Sequence, residues 1–145
     1  MWQARVCPLY GPLYRDRVSE SSTPCPCGSG EPRVSCCGRY LTGGGATAPT
    51  AERLMRSRYT AFAVGDMDHL LASWHRSTRP IALRDDPATR WTGLEVLGTT
   101  GGSLFDAEGT VTFRAHSRTG GVDDVMSETS RFVREDGRWL YVGPV

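Results

Sequence analysis

The sequence predicts an α+β fold in which helices come first, an antiparallel sheet of about four strands follows, and a cysteine-rich knuckle precedes both. Three observations carry this. Apolar residues between positions 50 and 75 recur at helical spacing, the apolar period changes to two after Trp91, and four of the five cysteines crowd between Cys25 and Cys37. A chain of 145 residues is long enough for one domain with its own core and a small appendage.

Residues 1–23 carry Trp2, Leu9, Tyr10, Leu13 and Tyr14 without helical or strand periodicity and run into Ser-Glu-Ser-Ser-Thr. A disordered extension is expected, whose first methionine need not be the native start, with Cys7 as a bystander thiol. Residues 24–38 form the knuckle. Cys25, Cys27, Cys36 and Cys37 follow the spacing C-x-C-x8-C-C, which places four soft donors on a loop too short to bury a core of its own. A structural zinc ion held by four thiolates would give such a loop a shape, with no open position for a reacting water. Pro24 and Pro26 fix φ around the first cysteine, and Gly28, Gly30 and Gly38 permit tight turns. The rival is a pair of disulfides across the loop, which requires an oxidising compartment.

Residues 39–49, with Gly43-Gly44-Gly45, predict a glycine-rich linker, and residues 50–145 the main domain. The knuckle docks onto that domain if Tyr40 or Leu41 finds an apolar seat. Thr50 is a good N-cap, Glu52 suits the first turn, and Gly65 ends the helix. Leu54, Met55, Ala61 and Phe62 share one face of it, and Arg58 falls at the middle of that face. A charge in an apolar seam must reach the rim or meet a carboxylate inside. Arg56 is expected to face water. Asp66 caps a second helix with the stripe Met67, Leu70, Leu71 and Trp74, which ends before Pro80; His75 lies at the edge of that stripe and His69 on its far side, expected in solvent.

Leu94 and Val96 mark one strand, Val111, Phe113 and Ala115 a half-buried second with His116 facing outward, residues 122–134 a third, and residues 139–142 a fourth. Asp136-Gly137 is a tight hairpin signal. If these two are the loop residues, Phe132 opposes Tyr141 and Arg134 opposes Trp139. Val133 and Leu140 then share the other face. Counting back by twos puts Ser130, Glu128 and Met126 on the face of Phe132.

These residues carry a family resemblance. The cysteine spacing, with Gly28-Ser29 after the second cysteine, resembles the SEC-C motif, a small zinc-binding knuckle. The stretch from Ala51 to Phe62, then Ser73-Trp74-His75, Glu128-Thr129-Ser130-Arg131-Phe132 and Gly137-Arg138-Trp139, follows the order seen in YchJ-like bacterial proteins. From about Cys25 onward the resemblance implies the knuckle followed by a nuclear-transport-factor-2-like domain, a cone of curved antiparallel sheet wrapped on two or three helices. It implies a fold and a metal, and no reaction.

The formal net charge of +1 argues against a general polyanion-binding surface. Its distribution is uneven: eight arginines face four acids through Arg58, and nine face twelve beyond it, so an anionic partner would meet the knuckle end. The absence of lysine and asparagine speaks of genome composition more than of function. No apolar run of about 18 residues is available to span a membrane, and Arg5, Pro8, Pro12, Arg15, Asp16 and Arg17 interrupt any signal-peptide core. A cytoplasmic location with reduced thiols is expected.

Cone folds place a pocket between helices and sheet. Its expected polar lining is Arg58, His75 and Glu128, with Trp74, Phe132 and Tyr141 as walls. Glu128 or His75 would serve as general base and Arg58 would orient an anionic substrate. The favoured alternative has Arg58 and Glu128 neutralising each other as a buried pair. Nucleophile elbow, H-E-x-x-H, P-loop and dinucleotide fingerprints are all missing, so no reaction is assigned and the enzyme question stays open. The leading functional expectation is a zinc-stabilised adaptor whose knuckle presents Arg33 and Arg39 to a protein or ribosomal partner. A small-molecule protein using the cone pocket is the second reading and RNA binding through the arginine-rich knuckle the third.

Overall fold

The computed structural model describes residues 23–145; the expectations for the segment before them, including Cys7, lie outside the described residues. Two single-turn 3-10 segments, Arg33–Ser35 and Cys37–Arg39, shape the knuckle. Helices α1 (Ala51–Val64) and α2 (Met67–Ala72) follow, and then strands β1 (Thr89–Gly101), β2 (Glu108–Thr119), β3 (Val122–Glu135) and β4 (Arg138–Pro144). The four strands form one antiparallel meander in the order β1-β2-β3-β4, as expected.

The local signals act where they stand. The Thr50 hydroxyl accepts from the Arg53 amide at 3.2 Å, and Gly65 ends α1 in the left-handed region at φ 82°. Asp66 caps α2 by accepting from the His69 amide. Asp136 and Gly137 both have positive φ, 52° and 77°, as a two-residue hairpin loop whose twist matches its strands requires. Phe132 pairs with Tyr141, Val133 with Leu140 and Arg134 with Trp139.

Helix α2 is shorter than its apolar stripe. Strand β4 is an edge strand whose outer amides need partners. Residues 73–75 supply them: Tyr141 N donates to Ser73 O at 2.8 Å, and His75 N donates to Tyr141 O at 2.8 Å. Backbone pairing with the sheet outweighs continuation of the helix, and Trp74 is carried onto the concave side, edge-on to Tyr141 with centroids 5.2 Å apart.

Strand β1 is much longer than Leu94 and Val96 alone imply, and irregularities at Trp91/Gly93 and Val96/Gly98 bend it. That bend turns the sheet into a trough, and α1 lies along it. At the far end of the trough a glycine pair permits close backbone approach, since a Cβ on Gly109 would sit 2.5 Å from Gly102 Cα. Gly102 O in turn accepts from the Ala51 amide at 3.0 Å, tying the β1-β2 connection to the start of α1.

Knuckle and domain share one core. All four cysteines belong to the same buried cluster as Leu54, Met55, Tyr59, Val111, Phe113, Phe132 and Trp139, and Tyr40 packs against that cluster from the linker. Arg56 does not face water as expected. Its Nη1 donates to Cys27 O at 2.9 Å, while its Nε pairs with Glu52 at 2.9 Å, so one side chain fastens the knuckle to α1. Beside it, Cys25 Sγ and Thr60 Oγ1 lie 3.6 Å apart.

Candidate functional site

Two sites emerge, one on each side of α1. The first is the sulfur cluster. Cys25, Cys27, Cys36 and Cys37 are buried free thiols, and their sulfur atoms all lie within 4.8 Å of one another. Cys27 and Cys36 are separated by 3.6 Å, Cys36 and Cys37 by 4.0 Å. A zinc ion with Zn–S bonds of about 2.3 Å spaces tetrahedral ligands by about 3.8 Å, so the donor set fits such an ion with little movement. Electrostatics point the same way. Hydrogen bonds from Cys25 and then Cys37 pull the Cys27 thiol far down, while the same contacts with Cys25 and Cys27, followed by burial, push Cys37 up. Four thiolates crowded this closely repel one another, and gathering them takes a cation. The Ser29 hydroxyl, 3.1 Å from Cys36 Sγ, is the nearest outer support.

The second site is a cavity of about 340 Å³ between α1 and the concave face of the sheet. Helix α1 contributes Met55, Arg58, Tyr59 and Phe62; the sheet contributes Trp91, Phe113, Ala115, Met126, Glu128, Ser130, Phe132 and Tyr141; Trp74 closes one side. The expected walls Trp74, Phe132 and Tyr141 and the expected polar groups Arg58 and Glu128 all line it. His75 does not. Its Nε2 lies 2.8 Å from Glu135 Oε2 and its Nδ1 2.7 Å from Ser77 Oγ, because the Ser73–His75 backbone follows β4 and turns the imidazole away from Trp74.

Arg58 neither reaches the rim nor forms a carboxylate pair. Its Nη1 donates to Leu70 O at 2.8 Å and to Ser73 Oγ at 2.7 Å, and its guanidinium carbon sits 4.8 Å from the Trp74 ring centroid and 4.5 Å from that of Tyr141. Burial lowers it to about 10, against the upward pull of Tyr141 and Glu128, and it remains charged at neutral pH. Glu128 is held by hydroxyls instead. Its Oε2 accepts from Ser130 Oγ and, at 3.1 Å, from Tyr141 Oη. Burial and then the Glu128 charge push the Tyr141 phenol up to about 12, so it stays a proton donor to the carboxylate. The direct buried Arg58–Glu128 pair expected from face counting is not formed among the described residues.

Sequence reasoning missed Tyr59, Phe62, Trp91 and Phe113 as lining residues. A signal for Phe113 existed: with Gly120 and Gly121 as a two-residue loop, positions on β2 and β3 sum to 241, which sets Phe113 opposite Glu128 and Val111 opposite Ser130, as observed. His69 is not solvated. Ser57 commits its proton to Leu54 O at 2.7 Å, so His69 Nε2 donates to Ser57 Oγ at 2.9 Å, and burial lowers the imidazole to about 4. His116 faces outward as expected and meets Glu95 at 2.7 Å. On the knuckle, Arg39 donates to Cys36 O at 3.1 Å and stacks on Tyr40. Among the described residues no helix is long and apolar enough to cross a membrane.

Comparison with known proteins agrees with this architecture. Residues 50–144 match the family described as YchJ, middle NTF2-like domain. A UPF0225 protein of Chromobacterium violaceum is 56% identical over 121 residues, covering 81% of this chain and 89% of that protein. One from Streptomyces coelicolor is 57% identical over 118 residues, covering 81% and 91%. The solution structure of a SEC-C motif containing protein from Rhodopseudomonas palustris superposes with a TM-score of 0.73 at 32% identity over 85% of this chain and 98% of that one. The crystal structure of a SEC-C motif containing protein from Psychrobacter arcticus gives 0.71 at 25%, covering 87% and 84%. A four-stranded antiparallel sheet with two helices, a four-cysteine knuckle docked on the first of them, and these matches place the chain in the YchJ family, as a SEC-C-type cysteine motif followed by an NTF2-like domain.

Proposed function

We propose that this chain is a zinc-stabilised small-molecule-binding protein: the four cysteines hold one structural zinc, and the cavity over the sheet is the binding site. The observation that carries the reading is a cavity of about 340 Å³ that stays open although Arg58, Tyr59, Phe113, Ser130 and Phe132 in its lining are buried in a small domain. Natural interiors are packed to crystal-like density, so open volume of this size beside an oriented cation and carboxylate is a costly feature to retain without a use. The zinc, when bound, supplies no reaction, since four sulfurs complete its coordination. Its contribution is to hold the knuckle on Arg56 and Thr60, and through them the α1 backbone that carries Arg58.

The test is ligand-detected NMR with one- and two-ring fragments, read on the indole and phenol resonances of Trp74, Trp91 and Tyr141. Hits should shift those resonances, and Ala115→Phe, which fills the cavity floor, should abolish binding while the protein stays folded. Fragments that bind equally well to the filled variant would refute the reading.

A protein partner at the knuckle is a second reading, and Val34, 48% exposed on the first 3-10 turn, favours it. The turn of Arg39 inward onto Cys36 O and Tyr40 weakens it. Retention of full partner capture by Val34→Asp would remove it.

A further inference from the structure

Resting on the cavity reading above, we propose that its ligand is a ring-bearing carboxylate, with the carboxylate taken by the free edge of Arg58. The argument is a count of donors and acceptors at the polar end. Arg58 is more than nine-tenths buried and lines the cavity, and only its Nη1 makes hydrogen bonds among the described residues. Its Nε and Nη2 carry three N–H groups in the planar fork that matches a carboxylate with two parallel bonds. Trp74, stacked on the same guanidinium, adds a fourth donor, because its Nε1–H is buried with no partner. The competing acceptor is Glu128, but its Oε2 is already engaged by Ser130 and Tyr141, and the carboxylate does not come within ion-pair distance of Arg58. Three Arg58 N–H groups and the Trp74 indole N–H are therefore left without a protein acceptor, while Glu128 Oε1 is the remaining carboxylate oxygen in the lining. The Tyr59 hydroxyl, also buried without a partner, adds a further polar group to the same cavity. A buried guanidinium without a close anion is an incomplete arrangement, and a carboxylate is the small group with enough lone pairs to complete it.

The rest of the cavity selects what the carboxylate is attached to. Phe62, Trp91, Phe113 and Phe132 present ring faces and edges, and Met55 supplies a deformable thioether. At about 340 Å³ the space sits at the low end of small-molecule sites, which run from about 300 to 1,000 Å³, so it suits one or two rings. A phosphate monoester is disfavoured, since its second charge would be buried against Glu128 with no further cation lining the cavity.

The experiment compares three isosteric probes on the full zinc-loaded chain by NMR titration and calorimetry: 1-naphthylacetate, 1-naphthylacetamide and 2-(1-naphthyl)ethylamine. The carboxylate should bind at least about tenfold tighter than the amide, as expected for a charge-assisted bidentate bond, and the amine most weakly. Arg58→Lys, which keeps the charge and loses the fork, should narrow the ratio between carboxylate and amide affinity toward one. Equal binding of carboxylate and amide within the cavity would overturn the carboxylate assignment and leave the binding site standing; tighter binding of the amine would overturn it in favour of Glu128 as the reading group. Failure of all three to shift the cavity resonances at millimolar concentration would overturn the site and the assignment together. The probe ratios on the unaltered chain decide the matter even if the Arg58 variant is unstable.

Discussion

Replacing Arg56 by alanine tests whether knuckle and domain are one structure. Arg56 donates to Cys27 O and pairs with Glu52, both at 2.9 Å, with its side chain 22% exposed. A hydrogen bond from a charged donor contributes about 1.5–3 kcal/mol, and partial exposure places this one near the low end. The i,i+4 ion pair adds about 0.3–0.5 kcal/mol. Arg56→Ala should therefore cost about 2 kcal/mol, which for a domain of this size lowers Tm by about 8 °C. The informative comparison is with Cys36→Ser, which removes one of the four proposed zinc ligands and should leave Cys27 O no longer presented to α1. In that background the same substitution should cost only about 0.5 kcal/mol, the remnant of the pair with Glu52, a coupling of about 1.5 kcal/mol. Scanning calorimetry and urea titration of the four proteins supply the cycle. An equal penalty in both backgrounds would show that Arg56 acts within its own helix and that the knuckle is carried as a pendant.

Three further predictions concern a buried histidine, the support of Arg58 and two glycines. His69 is neutral in the fold down to about 4 but takes a proton near 6.5 when unfolded, so protons favour the unfolded chain in between. Stability should fall as pH drops from 6.5 to 4 and owe nothing more to this group below that, with at most about 3 kcal/mol at stake. His69→Gln, which can still donate to Ser57, should flatten that slope; an unchanged slope would contradict the burial of the imidazole. Ser73→Ala removes an acceptor from the buried Arg58 guanidinium and should cost about 1.5–3 kcal/mol in urea titration, and a loss below 0.5 would mean Arg58 is free to move. Gly137→Ala meets nothing within 4 Å and should cost only the left-handed backbone, about 1–2 kcal/mol. Gly109→Ala should cost at least about 3 kcal/mol, because its methyl would enter the Gly102 backbone; similar losses for the two would refute the close approach.

What was legible in the sequence is what local chemistry decides. Thr50, Gly65, Asp66 and the Asp136-Gly137 loop act through their own backbone, and the pairing of Phe132 with Tyr141 follows from that loop, which brings Glu128 and Ser130 to the concave face. The cysteine spacing marks its own cluster. What stayed hidden depends on partners distant in sequence. Arg56 looks like a solvent residue on a helical wheel until Cys27 arrives from 29 positions away. His75 left the site because β4 needed an edge partner, and His69 was drawn inward by Ser57. Arg58 is the instructive case: its position in an apolar seam was readable, but two aromatic rings, a carbonyl and a serine hold it where a carboxylate was expected.

The central claim is that four sulfurs share one ion and thereby fix the helix that carries the cavity's cation. X-ray absorption at the zinc edge, on protein purified under reducing conditions and analysed for metal content, tests it most directly. One zinc per chain with about four sulfur neighbours at about 2.3 Å is the predicted result. A metal-free folded protein, or a zinc shell of nitrogen and oxygen, would contradict it.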